Sequence, residues 1–200
     1  MAIRYVALGD SYTIGTSVDP DESFPEQLAA ALRAEGIDVD LVANLGVNGY
    51  ATADVIRDEL PALDEAAPDV VTLLVGVNDA VQGVPLATYE RNAAAILDDL
   101  LARLPARQII VVTVPDYTLM PRGGDYGDPA DRSRAIADNN AAMSALAGSR
   151  GVAVVDIVDI SREVATDPTL GASDGLHPSG AQYARWVERL MPVMRDLLGR

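Results

Sequence analysis

The sequence predicts an α/β protein in which helices cover both faces of a parallel sheet, forming a three-layer α/β/α sandwich. Five short runs rich in Val, Ile and Leu have the composition of buried strands. Longer stretches with helical spacing separate these runs, so strand and helix alternate along the chain. Alternation of this kind is typical of parallel βαβ units with right-handed crossovers.

The predicted elements follow one another closely along the chain. The strands span residues 4–8, 39–44, 70–75, 108–114 and 152–156. The helices span residues 25–35, 88–104, 133–150 and 179–198, with Gly36 after the first and with Thr88 and Ser179 as N-caps of the second and last. Segment 115–129 is irregular and holds three Pro and three Gly, and we expect it to act as a substrate lid.

Length and composition predict a single domain spanning residues 1–200. Of the 200 residues 49% are apolar, which is enough for one buried core. The chain has no Cys, which excludes disulfides, thiolate metal sites and cysteine nucleophiles. No internal repeat and no linker divides the sequence.

The strongly acidic charge limits which partners the protein can bind, but it does not indicate which reaction the protein catalyses. The formal net charge is -15, and all 15 basic residues are Arg. Such a surface repels phosphodiester backbones and anionic lipid headgroups, so we expect no nucleic-acid partner. The apolar runs are too short to span a bilayer, so we expect no stable membrane anchoring. The start of the sequence lacks a signal-peptide pattern; the cytoplasm is the expected compartment, with secretion open if a signal peptide has been removed.

Small and polar residues follow the predicted strands, at the edge where open parallel sheets bind ligands. The segments are 9–13 (GDSYT), 44–49 (NLGVNG), 76–79 (GVND) and 174–178 (DGLHP). The first three directly follow strands one to three, and the last follows strand five. We expect them to meet at one edge of the sheet.

A serine, a histidine and an aspartate in these segments form a candidate nucleophilic set. Ser11 is a poor nucleophile unless a base takes its proton, and His177 is the only His in the chain. An imidazole base needs an acceptor that holds its tautomer, and Asp174 lies three residues before His177. We therefore predict Ser11 as nucleophile, His177 as general base and Asp174 as the acid that orients it. Taken singly, each of the three has an ordinary alternative as a turn or capping residue.

Three groups at the same edge are candidates for stabilising the oxyanion of a tetrahedral intermediate. They are the Ser11 N–H, the Gly46 N–H and the Asn78 carboxamide. Gly46 lacks a side chain, which permits close approach of its backbone. Asp79 is as able to cap a helix as Asn78 is, which leaves Asn78 free to face the site.

The remaining polar and aromatic residues near these segments are interpreted as structural. We expect Asp10 and Asp79 to accept hydrogen bonds that hold turns, and Gly49 to serve a backbone turn. Side chains that are more often packing residues than substrate contacts are Tyr12, Asn48, Tyr50, Tyr117 and Met120.

The four segments resemble, in order, the blocks of the SGNH hydrolases, a branch of the GDSL esterase and lipase superfamily. The nucleophile block is similar to GDSY (9–12), the glycine block to NLGVNGYAT (44–52), the asparagine block to GVND (76–79) and the acid-and-base block to DGLHP (174–178). Any one of these blocks occurs often by chance. Four blocks in the order of the family, each after a predicted strand, are a specific match to that family. The resemblance implies a flavodoxin-like fold with strand order 2-1-3-4-5, an acyl-enzyme mechanism, no metal or organic cofactor, and oxyanion donors at Ser11, Gly46 and Asn78.

The expected function is hydrolysis of small-molecule carboxylic esters with short to medium acyl chains. Lysophospholipase, thioesterase and carbohydrate O-acetylesterase activities are alternatives within the family, as is acyl transfer to an alcohol. From a different class, a non-catalytic flavodoxin-like module would cradle a phosphate through residues 11–16. That loop lacks a P-loop Lys, and the module leaves Asp174 and His177 without a purpose. The sequence leaves monomer and homodimer both open.

Overall fold

Residues 1–199, the part of the chain that a computed structural model describes, form a five-stranded parallel sheet packed between helices. The strands are β1 (Ile3–Gly9), β2 (Val39–Asn44), β3 (Val70–Leu74), β4 (Ile109–Val112) and β5 (Ala153–Val155). Their order is β2-β1-β3-β4-β5, and every neighbouring pair is parallel. The predicted fold class and the strand order implied by the family resemblance are confirmed.

Three strands, β3, β4 and β5, are shorter than the sequence predicts, and local hydrogen bonds explain the later starts of β4 and β5. Gln108 closes a 3-10 turn by donating its N–H to the Pro105 carbonyl at 2.8 Å, so β4 begins one residue later. Val152 donates its N–H back to the Ala147 carbonyl at 3.0 Å, which delays β5 to Ala153. Hydrophobic patterning identified these strands, but it carries no information about the backbone hydrogen bonds that delay their starts.

Helices follow the strands throughout the described chain. They are α1 (Ser11–Ile14), α2 (Phe24–Ala34), α3 (Thr52–Asp54), α4 (Leu60–Ala66), α5 (Val77–Gln82), α6 (Leu86–Arg103), α7 (Pro129–Ser149), α8 (Val158–Arg162) and α9 (Gly180–Leu197). A π-helical turn, Val55–Glu59, joins α3 to α4. Turns of this kind are frequent at functional sites.

Two predicted helix starts were wrong, and one predicted cap is confirmed. Thr88 does not cap α6, because the Pro85 carbonyl accepts the Thr88 N–H at 2.8 Å and the helix already begins at Leu86. The helix predicted from residue 133 begins at Pro129, where Asp128 accepts the Asp131 N–H. Ser179 caps α9 as expected.

The sheet separates two apolar layers, and alternate residues of β1 belong to each. Tyr5 and Ala7 belong to the layer formed with α2 and α9, which contains the fully buried Trp186. Val6 and Leu8 belong to the layer formed with α4 and α6. This alternation is the period-2 pattern of a strand buried on both faces.

The topology places one crevice at the carboxyl end of the sheet. β2 lies on one side of β1, and β3, β4 and β5 lie on the other. The order in which strands are added to the sheet therefore reverses between β1 and β3. Open α/β sheets bind ligands at such a switch point. The helices that begin beside it are α1 and α5.

Candidate active site

A tight turn between β1 and α1 presents Ser11. Gly9 has φ +148°, and a Cβ there would meet the Leu74 carbonyl oxygen at 2.0 Å, so only glycine fits. The Asp10 side chain caps α1 by accepting the Tyr12 N–H at 3.0 Å, which agrees with its predicted structural role. Ser11 is the first residue of α1, where backbone N–H groups have no acceptor within the helix.

The loop before α9 presents His177 and binds its ring to Asp174. The distance between His177 Nδ1 and Asp174 Oδ2 is 2.6 Å. Asp174 Oδ1 accepts the N–H groups of Leu176 and His177 at 2.9 and 3.0 Å, and Ser17 donates its hydroxyl to Oδ2 at 2.8 Å. Four donors therefore hold one carboxylate.

These contacts decide the protonation state of Asp174. Burial by itself raises the pKa of this carboxyl, but the hydrogen bonds from His177, Leu176 and Ser17 together bring the pKa well below its ordinary value. An ionised carboxylate can only accept hydrogen bonds, so His177 Nδ1 carries a proton. In the neutral imidazole, Nε2 then keeps a free lone pair.

A cavity of about 210 Å³ brings Ser11, Asn78 and His177 together. Its other lining residues are mostly apolar and comprise Tyr12, Asn48, Gly49, Val77, Val81, Tyr117, Tyr126 and Leu176. Within residues 1–199 the Ser11 hydroxyl makes no direct hydrogen bond to the His177 ring. Catalytic hydrogen bonds in unliganded enzymes are often long and shorten only when substrate binds.

Asn78 is held firmly at the second position of α5. Its Nδ2 donates to the Tyr50 carbonyl at 2.9 Å and lies 3.5 Å from Asp10 Oδ2. The residue before the helix is Gly76, which has φ +132° and has no room for a Cβ against the Tyr89 ring. Backbone geometry and these two contacts thus fix Asn78 in the cavity wall, and the weaker contact, to Asp10, is the one that an oxyanion can replace.

Gly46 packs directly against the nucleophile turn but lies in an adjoining groove. A Cβ on Gly46 would lie 2.7 Å from the Ile14 nitrogen and 2.8 Å from the Asp10 carbonyl oxygen. The Gly46 N–H donates to the Asn44 side chain at 3.2 Å. The predicted oxyanion donor Gly46 therefore does not line the cavity, whereas Gly49 of the same loop, interpreted from the sequence as a turn residue, does.

Buried carboxyl groups lie behind this edge of the sheet. Asp79 accepts the Thr52 N–H at 3.0 Å and the Thr52 hydroxyl at 2.5 Å, as expected for a structural acceptor. Glu59, on the π-helical turn, accepts the Gly9 N–H at 2.8 Å. Burial raises the pKa of Asp10 to about 8 and that of Glu59 to about 9, and their mutual repulsion adds to the effect on Glu59.

Segment 115–129 forms a wall of the cavity and is built on two short 3-10 turns. It contains the 3-10 turns Tyr117–Leu119 and Gly123–Tyr126, and the rings of Tyr117 and Tyr126 contact edge to face. The buried Asp116 carboxylate accepts hydrogen bonds from Thr118, Ser133 and Arg162. These bonds fix the base of the segment.

Sequence reasoning overlooked several residues of the site. Ser17 and Glu59 contact the predicted residues only through the tertiary fold, and no motif marks them. Tyr12, Tyr117 and Asn48, interpreted as packing residues, do line the cavity. Tyr50 and Met120 do not: the Tyr50 hydroxyl binds Asp58, and Met120 packs in a small separate cluster.

Residues 1–199 contain neither a candidate metal site nor a helix suited to cross a bilayer. No group of three or more His, Asp or Glu side chains in this range is arranged to hold a metal ion. No helix in this range has both the length and the apolar composition that crossing a bilayer requires.

Comparison with known proteins identifies the family. The model of the GDSL-like lipase/acylhydrolase family matches residues 7–185, which include every predicted site residue. This chain belongs to that family. Esterase TesA from Pseudomonas aeruginosa is similar to it, with 26% identity over 194 residues, 96% of this chain and 88% of that protein. An arylesterase from Vibrio mimicus is 29% identical over 94 residues, which are 47% of this chain and 46% of that protein.

Solved structures share the fold of this chain across almost its whole length. A lipase/acylhydrolase from Enterococcus faecalis superposes with a TM-score of 0.79 at 20% identity, covering 98% of this chain and 96% of that one. The acetylxylan esterase Axe2 from Geobacillus stearothermophilus superposes with a TM-score of 0.72 at 19% identity, covering 98% and 94%. At these identities the likeness concerns the fold.

Proposed function

We propose that this protein is a serine hydrolase that cleaves carboxylic esters of short to medium acyl chains through an acyl-enzyme intermediate. The observation that carries the proposal is the 2.6 Å contact between His177 and Asp174 beside a cavity that Ser11 and Asn78 also line. Nucleophile, base, orienting acid and oxyanion donor are the groups that acyl transfer through serine requires.

In the first half of the reaction Ser11 Oγ attacks the ester carbonyl carbon while His177 Nε2 takes the hydroxyl proton. The carbonyl oxygen becomes an oxyanion, for which the donors are the Ser11 N–H and the Asn78 Nδ2 hydrogen that is released from its long 3.5 Å contact with Asp10. The Gly46 N–H, which donates to Asn44 outside the cavity, is not presented to the oxyanion in this conformation. Collapse of the tetrahedral intermediate breaks the bond to the alcohol oxygen, and His177 returns the proton to the departing alcohol. Water, deprotonated by His177, then hydrolyses the acyl-serine ester and releases the acid.

Asp174 acts throughout by stabilising the imidazolium that forms on His177. Its depressed pKa means that it stays ionised while the ring gains and loses a proton. The hydroxyl of Ser17 and the two backbone N–H groups keep the carboxylate oriented toward Nδ1.

The size and lining of the cavity support small substrates. Its volume of about 210 Å³ lies below the range of about 300–1,000 Å³ typical of pockets for drug-sized ligands. The apolar side chains of Val77, Val81 and Leu176 suit an alkyl group next to the reacting carbonyl. The names of the similar proteins, esterase and arylesterase, agree with this class.

Hydrolysis of p-nitrophenyl esters from acetate to palmitate tests the proposal. We expect turnover of the shorter esters, and a loss of several orders of magnitude in Ser11→Ala and in His177→Ala. Ser149→Ala, an exposed serine of α7, is the matched control and should match the wild type. Activity that survives Ser11→Ala would refute the assignment of the nucleophile.

Two further outcomes separate the alternatives. An acyltransferase would yield little free acid when an alcohol acceptor is added, whereas a hydrolase continues to release acid. A protein without activity on any ester, but with tight binding of a flavin or nucleotide in a fluorescence titration, would be the non-catalytic binding module.

A further inference from the structure

Tyr126 is the outermost apolar residue of the cavity wall. Its exposed fraction is 36%, while Tyr117, against which it packs, is 2% exposed. The two ring centroids are 6.0 Å apart at an interplanar angle of 82°, an edge-to-face arrangement. Tyr126 therefore has one side toward Tyr117 and the cavity and another toward solvent.

A single arginine ties Tyr126 to the helix that carries the oxyanion donor. Arg132 donates from Nε to the Tyr126 carbonyl at 2.9 Å and from Nη1 to the Ala80 carbonyl at 2.6 Å. Ala80 is on α5, together with Asn78 and the cavity residues Val77 and Val81. The guanidinium thus bridges two walls of the same cavity.

The backbone beside Tyr126 is shaped to allow this bridge. Gly127 has φ +120°, and a Cβ there would lie 2.6 Å from Arg132 Nε. On the other side of the turn, the Arg122 N–H donates to the Gly175 carbonyl at 2.9 Å, which joins the segment to the loop of His177. Tyr126 is therefore held between two anchored points.

We propose that Tyr126, held by Arg132, sets the longest acyl group that the cavity accepts, which makes short-chain esters the preferred substrate class. This inference rests on the ester hydrolase function proposed above. The anchored ring forms the wall at the solvent edge of the cavity, so an acyl chain that extends in that direction meets the ring. Removing the ring opens the cavity at its solvent edge and gives a longer chain a path along Tyr117.

The test compares acyl-chain preference in matched variants. The measured quantity is the ratio of kcat/KM for p-nitrophenyl octanoate to that for the butanoate. Each methylene that moves from water into an apolar site strengthens binding roughly fourfold, so two additional buried methylenes predict a rise of about 15-fold in Tyr126→Ala. Tyr126→Phe keeps the ring and should keep the wild-type ratio.

Variants of two arginines on α7 separate the anchor from a general change in charge. Arg132→Ala frees the wall and should raise the same ratio, by less than Tyr126→Ala does. Arg134→Ala removes an exposed arginine that pairs with Asp131 at 3.0 Å, and it should leave the ratio unchanged. Circular dichroism of each variant confirms that the fold is retained.

A binding measurement keeps this inference distinguishable from the proposed function. Calorimetric titration with 2-hexanone and 2-decanone, which have a carbonyl but no leaving group, gives the chain-length preference without hydrolysis. A selective gain for 2-decanone in Tyr126→Ala supports the inference even if no ester is cleaved, in which case the proposed function alone fails. A preference that Tyr126→Ala leaves unchanged, or that Arg134→Ala shifts equally, would overturn the inference.

Discussion

Replacing the buried Glu59 with Gln should stabilise the protein at neutral pH and not at acid pH. Glu59 is 3% exposed; its Oε2 accepts the Gly9 N–H at 2.8 Å, and among residues 1–199 its Oε1 has no hydrogen-bond partner. Burial raises the pKa of Glu59 from 4.5 to about 9, which the Gly9 hydrogen bond opposes and the charge of Asp10 reinforces. The folded protein therefore keeps this side chain protonated at pH 7.

The sign and size of the effect follow from proton linkage. A carboxyl whose pKa is raised on folding contributes its full stability below the unfolded pKa, and this contribution is lost as the pH rises toward the folded pKa. Between the unfolded value of 4.5 and pH 7 the loss is about 3 kcal/mol, since each pH unit corresponds to about 1.4 kcal/mol. Gln keeps an oxygen for the Gly9 N–H and binds no proton, so Glu59→Gln avoids this loss.

Urea denaturation at pH 4.5 and pH 7, followed by the fluorescence of the single, fully buried Trp186, measures the effect. The free energy of unfolding of Glu59→Gln, relative to the wild type, should rise by about 3 kcal/mol between the two pH values. Glu90→Gln, an exposed glutamate of α6, should show no such change. If the difference between Glu59→Gln and the wild type is the same at both pH values, Glu59 is not protonated in the folded state and the reasoning fails.

Three further predictions concern the surroundings of the site and the stability of the fold. Ser17→Ala removes a hydroxyl that binds Asp174 Oδ2 at 2.8 Å, so kcat/KM should fall about tenfold; steady-state rates equal to the wild type would exclude an orienting role. Gly46→Ala places a Cβ 2.7 Å from the Ile14 nitrogen, so esterase activity and melting temperature should both fall. A variant as active and as stable as the wild type would show that the turn can move to accommodate the Cβ. Gly148→Ala adds a Cβ near the end of α7 with nothing within 4 Å, so chemical denaturation should reveal a gain of about 0.5–1 kcal/mol, and a loss would contradict the helix geometry.

Patterns within short stretches of sequence predicted much of the fold. Period-2 and apolar runs located every strand to within two residues, because a strand buried on both faces needs consecutive apolar side chains. Helix starts were less accurate. At Pro85 the helix begins without a side-chain cap. At Asp128 the cap is an ordinary Asp followed by Pro129, but the Pro and Gly content of segment 115–129 predicted an irregular structure there.

Some contacts of the candidate site join residues that are close in sequence, and others join residues that only the tertiary fold brings together. Asp174 and His177 are three residues apart, so their contact follows from one turn and was readable in the spacing. Ser11 and Asn78 meet because the carboxyl ends of the parallel strands β1 and β3 share one edge of the sheet. His177 reaches the same edge only through the tertiary fold, because α8 and two 3-10 turns separate its loop from β5.

By itself, then, the sequence determined the fold class, the family resemblance and the set of polar residues at one sheet edge. Only the tertiary structure decided the volume of the cavity, the bond of Glu59 to Gly9 across 50 residues, and the bridge of Arg132 to Ala80 across 52. The physical reason is that periodicity and capping act over a few residues. Cavity size and the pKa of a buried carboxyl depend on which distant side chains pack together.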